Sequence, residues 1–219
     1  CRQYGIRPTI LLNAHHGVPC PVKFFTRKLL ADAPIESRTV TLNDTSDVIP
    51  GRTGLSQLSG YWAAEALITN IHRQTGVCEL SKPLAKALAK DSDISMATLK
   101  YLPLYPVGTP EFEETSGGWV RYAIMVCKLV RDAGIESFDL EIWNELSFGS
   151  NFTAINHYYK PPLFEKTRDF LNEGGSAWEM ARRTIEAVKK ECRGARCLWG
   201  FSNTTFFHTA VDKLPPHTD

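Results

Sequence analysis

A parallel α/β fold is what this sequence predicts, and three observations carry the prediction. Short apolar runs alternate with helix-period stripes in the order strand, helix, strand, helix, strand. Each apolar run gives way at once to polar residues. The first run is apolar on consecutive positions rather than on every second one, the pattern of a strand covered on both faces.

The elements follow in order. Residues 6–14 (IRPTILLNA) read as the first strand and end on His15-His16-Gly17. A helical stripe begins at Ser116: Trp119, Ala123, Val126 and Val130 fall on one face, and Gly134 supplies the stop. Residues 138–143 (FDLEIW) are strand-like and run into Asn144-Glu145. Ser176-Ala177-Trp178-Glu179 has capping-box spacing, and Ala177, Ala181, Ile185 and Val188 extend a second stripe to about Cys192. Residues 196–201 (RCLWGF) make the third strand, followed by Ser202-Asn203-Thr204-Thr205. In parallel β/α folds ligands sit at the carboxyl ends of the strands. His15, Glu145 and Asn203 are the polar residues the sequence sends there.

Between the first strand and the first helix lies an insertion over residues 27–112, far longer than an ordinary βα loop. It holds a strand candidate at 38–42, a turn at Pro50-Gly51, a helix candidate at 61–74 and a partner strand at 77–80. The expected organisation is one domain overall: strand and loop in 1–26, an inserted subdomain over the strand ends in 27–112, and helices and strands in 113–219. The insertion either shapes a cleft or is a surface elaboration.

The composition fits a folded chain. Of 219 residues, 43% are hydrophobic and 11% aromatic, and 25 Lys plus Arg against 24 Asp plus Glu leave a formal charge of +1. That balance gives no support for a nucleic-acid partner or an anionic membrane surface. No apolar run approaches the roughly 18 residues of a bilayer span. Six scattered cysteines without a CxxC pair argue against a zinc site. Cys192 and Cys197 flank a short turn and are either a bridge or two buried thiols. Sequons at Asn43, Asn151 and Asn203 lean toward a secreted protein. No Gly-rich phosphate or dinucleotide loop follows a strand, so no cofactor is expected.

Glu145 is the strongest chemical candidate. A carboxyl at the mouth of a buried strand has its pKa raised, which suits a general acid near neutral pH. Asn144 offers both donor and acceptors for a sugar hydroxyl. The structural alternative for Glu145 is a helix cap or a surface ion pair. His15 and His16 would face opposite sides of an extended strand end, one of them able to touch a sugar. Trp143 and Trp199, near strand ends, are stacking platforms or core residues. Asn203 and His208 follow the last strand, and Asn203 is equally a glycan acceptor. Phe148, Tyr158 and Tyr159 would line the rim. Asp139 and Glu141 share the parity of Glu145 on the strand, and a buried charged pair with an Arg such as Arg7 would suit them.

Glu141-Ile142-Trp143-Asn144-Glu145 resembles the acid/base motif of clan A glycoside hydrolases, with the β-xylosidase and α-iduronidase family the nearest in character. The resemblance implies a retaining enzyme on a (β/α)8 TIM-type barrel. Glu145 would be the acid/base and Asn144 would bind the sugar 2-hydroxyl. Leu146 stands where the family usually has Pro. A barrel of about 250 residues does not fit beside the insertion. The expectation is therefore a partial barrel, the chain being a piece of something larger or a processed product. Carbohydrate is the implied substrate, and the nucleophile would come from a second polypeptide or a missing segment. A non-catalytic carbohydrate-binding or structural protein is the other reading.

Overall fold

Hydrogen-bonded strand pairing divides the chain into two sheets. The structure is a computed structural model that describes residues 1–12, 22–58, 64–99, 102, 104–143, 158–163, 171–199 and 213–219. Its strands are β1 (Thr9–Leu11), β2 (Val22–Lys28), β3 (Thr39–Thr41), β4 (Thr53–Leu55), β5 (Ala66–His72), β6 (Val77–Leu80) and β7 (Asp93–Leu99). There follow helix α1 (Pro110–Asp132), β8 (Phe138–Glu141), helix α2 (Ser176–Glu191) and β9 (Ala195–Leu198). Two compact units result: one of residues 1–14, 104–153 and 166–219, the other of 15–103 and 154–165.

The first unit holds a three-stranded parallel sheet in the order β1-β8-β9. Thr9 lies opposite Asp139, and Asp139 opposite Arg196. Helix α1 begins earlier than the stripe from Ser116 suggests. Thr109 is the N-cap, its Oγ1 accepting the Phe112 N–H at 3.2 Å. Pro110 opens the helix, and Glu111 and Glu113 occupy the first turn, where the helix dipole favours them. Gly134, at φ +79°, takes the left-handed turn after the helix. Helix α2 lacks the predicted capping box. Gly175 is the N-cap, while the Ser176 hydroxyl donates to the Tyr105 carbonyl at 2.7 Å. Arg182 and Arg183 hold the Glu179 carboxylate instead.

The second unit is a six-stranded antiparallel sheet, ordered β2-β7-β4-β5-β6-β3. Ile68 packs with Leu55, Met96 and Leu80 on one side, and its neighbour Leu67 with Leu99, Ala64 and Tyr158 on the other. Adjacent strand residues point to opposite faces, so this sheet is apolar on both. The helix predicted over 61–74 is in its described part the strand β5. Ile68, Thr69 and Ile71 are β-branched, and a short apolar run does not distinguish the two periods. A turn follows in which the Gly76 N–H donates to the His72 carbonyl at 2.9 Å. There φ is +74° and a Cβ would lie 2.3 Å from the Leu42 carbonyl oxygen, so only glycine fits.

These sheets correct the predicted fold class. The described residues hold two helices and nine strands, most of them antiparallel, in open sheets; they form neither a (β/α)8 barrel nor a partial one. Three parallel strands linked through helices make an α/β crossover sheet, and that alternation is shared by open and closed folds. Closure depends on pairing at the sheet edges, and among the described residues β1 is an edge. Its Thr9 and Leu11 are exposed, Leu11 by 52%, where the sequence predicted burial on both faces.

Candidate functional site

The parallel sheet has unlike faces. Phe138, Leu140 and Cys197 alternate with Asp139 and Arg196 and are fully buried. Helix α1 meets the chain just past β8: the Trp119 and Trp143 rings lie 4.3 Å apart, tilted by 35°. Cys127 of α1, Cys192 at the end of α2 and Cys197 of β9 are all 0% exposed. Burial pushes the Cys127 thiol up to about 12, with Cys192 adding to the rise, and the Cys197 thiol up to about 11.

The other face carries a charge cluster. Arg196 binds Asp139 through two hydrogen bonds, Nε to Oδ1 at 2.8 Å and Nη2 to Oδ2 at 2.7 Å. Arg7 donates to Asp139 and to Ser137, and its Nη2 reaches the Phe138 carbonyl at 2.7 Å. These bonds, those from Arg196 first, hold the Asp139 carboxyl far below the usual carboxylate range. Arg196 is raised in turn by its bond to Asp139. The pairing expected between a strand carboxylate and Arg7 is present. Arg196 was missed, although it precedes the run CLWGF and the register sets it opposite Asp139.

All three parallel strands end at the same edge. The chain leaves that edge at Leu12, Trp143 and Trp199, which are buried. Trp143 is 1% exposed and packed on Trp119, and Trp199 is 6% exposed. His15, His16, Asn144, Glu145 and Asn203 follow these ends in sequence and lie outside the described residues, as do Phe148 and His208. Tyr158, expected at a rim, is 1% exposed and packs with Ala64, Leu67 and Leu99. Burial pushes its hydroxyl well above the usual tyrosine range. Cys192 and Cys197 are free thiols rather than a bridge. Among the described residues no cluster of His, Cys, Asp and Glu is arranged to hold a metal ion, and no helix is long and apolar enough to cross a membrane.

No protein-family model, curated protein or solved structure matches the chain. The membership in clan A glycoside hydrolases implied by residues 141–145 is therefore corrected: the fold is not that family's barrel, and no family match supports it. The descriptions that followed from membership, a TIM-barrel hydrolase or glycosidase of carbohydrate metabolism with a retaining mechanism, lose that foundation with it.

Proposed function

We propose that the carboxyl edge of the parallel sheet handles carbohydrate, with Glu145 as general acid/base at a glycosidic oxygen and the nucleophile supplied from outside this chain. The observation that carries the reading is the common edge at which β1, β8 and β9 end, since ligands of open parallel sheets bind there. Glu145 comes four residues after the end of β8, at most about 14 Å of extended chain. Asn144 beside it has the donor and acceptors that a sugar hydroxyl needs.

The chemistry is proton transfer. A carboxylate from outside this chain bonds to the sugar carbon as the glycosidic bond breaks and Glu145 protonates the leaving oxygen; water, giving a proton to Glu145, then displaces that carboxylate. Cleavage of this type uses a second carboxylate about 5–5.5 Å away. Asp139 does not suit that role, because two guanidiniums already occupy it.

The test is Glu145→Gln in the full-length protein, assayed on unactivated oligosaccharides and on aryl glycosides with good leaving groups. Loss of at least about 100-fold on the former, with the latter far less affected, is expected of a general acid. Unchanged turnover of the oligosaccharides overturns the assignment. Oligosaccharide binding with no product from the unsubstituted protein also overturns it, in favour of a non-catalytic carbohydrate-binding protein.

A further inference from the structure

Asn43, Asn70 and Asn172 fall among the described residues, and the fold employs their side-chain amides differently. Asn70 uses both ends: its Nδ2 donates to Glu79 Oε1 at 3.1 Å, and its Oδ1 accepts the Ile71 N–H at 2.9 Å. Asn172 turns its Oδ1 into the interior. Asn43 uses one end only. Its Oδ1 accepts the Lys28 N–H at 2.9 Å, and its backbone N–H donates to the Lys28 carbonyl at 2.9 Å. The acceptor bond fixes which way the amide is turned, with the oxygen toward the backbone of residue 28. Nδ2 makes no hydrogen bond among the described residues. Asn43 is exposed, as are Lys28 beside it and Asp44 after it.

Asn43-Asp44-Thr45 has the Asn-x-Thr pattern of a glycan acceptor. We propose that Asn43 is an N-glycosylation site, its Nδ2 taking an oligosaccharide from a lipid-linked diphosphate donor in a secretory lumen. The atom to be modified is the one that the fold leaves unused. A glycosylated amide keeps its carbonyl oxygen, so the bond from the Lys28 N–H survives, and the bulky sugar stands over a polar, exposed turn.

In the transfer, a bond forms between Nδ2 and the first carbon of the sugar as the bond from that carbon to the diphosphate oxygen breaks. The lipid diphosphate leaves with the bonding electrons, one Nδ2 proton passes to a base of the transferase, and nothing is oxidised or reduced. Thr45, the third residue of the pattern, is 8% exposed, and its carbonyl accepts from Arg73 Nη1 at 2.8 Å. A transferase has to read that residue together with the asparagine, so the modification precedes the closing of the turn, and the finished fold then carries the glycan.

The full chain is carried into the secretory pathway of a eukaryotic host by a signal sequence, recovered from lumen and medium, and digested with trypsin. Cleavage after Arg38 and Arg52 releases residues 39–52, in which Asn43 is the one asparagine. Peptide N-glycosidase F in heavy-oxygen water turns each glycosylated asparagine into an isotope-labelled aspartate. The expected result is that label at residue 43 in most of the recovered protein. Thr45→Ser retains it, whereas Thr45→Ala abolishes it, and Asn43→Gln lowers the intact mass by one glycan. An unlabelled 39–52 peptide overturns the proposal. Label that appears without the glycosidase reports spontaneous deamidation and overturns it equally. If a variant fails to fold, the peptide map of the unsubstituted chain still decides.

Discussion

The antiparallel unit draws all six of its strands from residues 22–99, whereas the parallel sheet joins segments at 9–11, 138–141 and 195–198. The first sheet is apolar on both sides: Leu67 and Ile68, neighbours in β5, serve two different clusters. The second is apolar on one side only. Its other side carries Asp139 between two arginines, and its buried side carries Phe138, Leu140 and the Cys197 thiol. Such a sheet puts polar groups where partners must satisfy them, and those are the places where chemistry is easiest to build. Asn144, Glu145 and Asn203 follow strands of the parallel sheet in sequence, whereas Tyr158 packs in the antiparallel unit.

The sharpest way to break this contrast is to remove an indole. Trp119 is 4% exposed, and its ring meets both Trp143 and Tyr122. Trp119→Ala is expected to cost about 3–5 kcal/mol of stability in denaturant titration. Hydrogen exchange should show lost protection in β8 and β9 while β4, β5 and β7 keep theirs. Equal loss in both sheets would mean that the two units unfold as one.

A smaller effect should appear in acid. The folded pKa of Asp139 is depressed, so its contribution is fully present above the unfolded carboxylate value of about 3.9. It disappears as pH falls below that value toward the folded one. Asp139→Asn should therefore lower the thermal midpoint by a few degrees near neutral pH, with the gap to the unsubstituted protein closing below about pH 4. A gap that stays constant with pH would mean that packing, not charge, is lost.

What the sequence made legible was local. The runs at 138–143 and 196–201 become β8 and β9 because an apolar run bounded by polar residues carries its own signal. The stripe from Ala177 to Val188 becomes α2 for the same reason. Edge pairing is not local, so nothing in residues 6–14 reveals that β1 ends the sheet of the described residues with Leu11 exposed. The strand at 66–72 was misread because Ala66, Leu67 and Ile68 are apolar in sequence and suit either period. For the site, the type of residue at the strand ends was readable, but the bidentate partner of Asp139 needed the β8–β9 register.

The smallest effect belongs to a signal that was present in the sequence and passed over. Thr109-Pro110-Glu111 is an N-cap, a first-turn proline and an acidic residue in succession, the chemistry that starts a helix. The hydroxyl of Thr109 accepts from Phe112 N–H and donates to the Pro106 carbonyl at 2.8 Å, so it fixes both the helix start and the turn before it. Thr109→Ala removes both bonds and should cost about 1 kcal/mol, whereas Thr109→Ser keeps the oxygen and should cost a few tenths at most. Both are read as shifts in denaturation midpoint at constant slope. Phe112 sharpens the expectation, because it is fully buried and its ring lies 5.0 Å beneath the Arg183 guanidinium. If the alanine variant is as stable as the serine variant, the packing of Phe112, rather than the cap, sets where α1 begins.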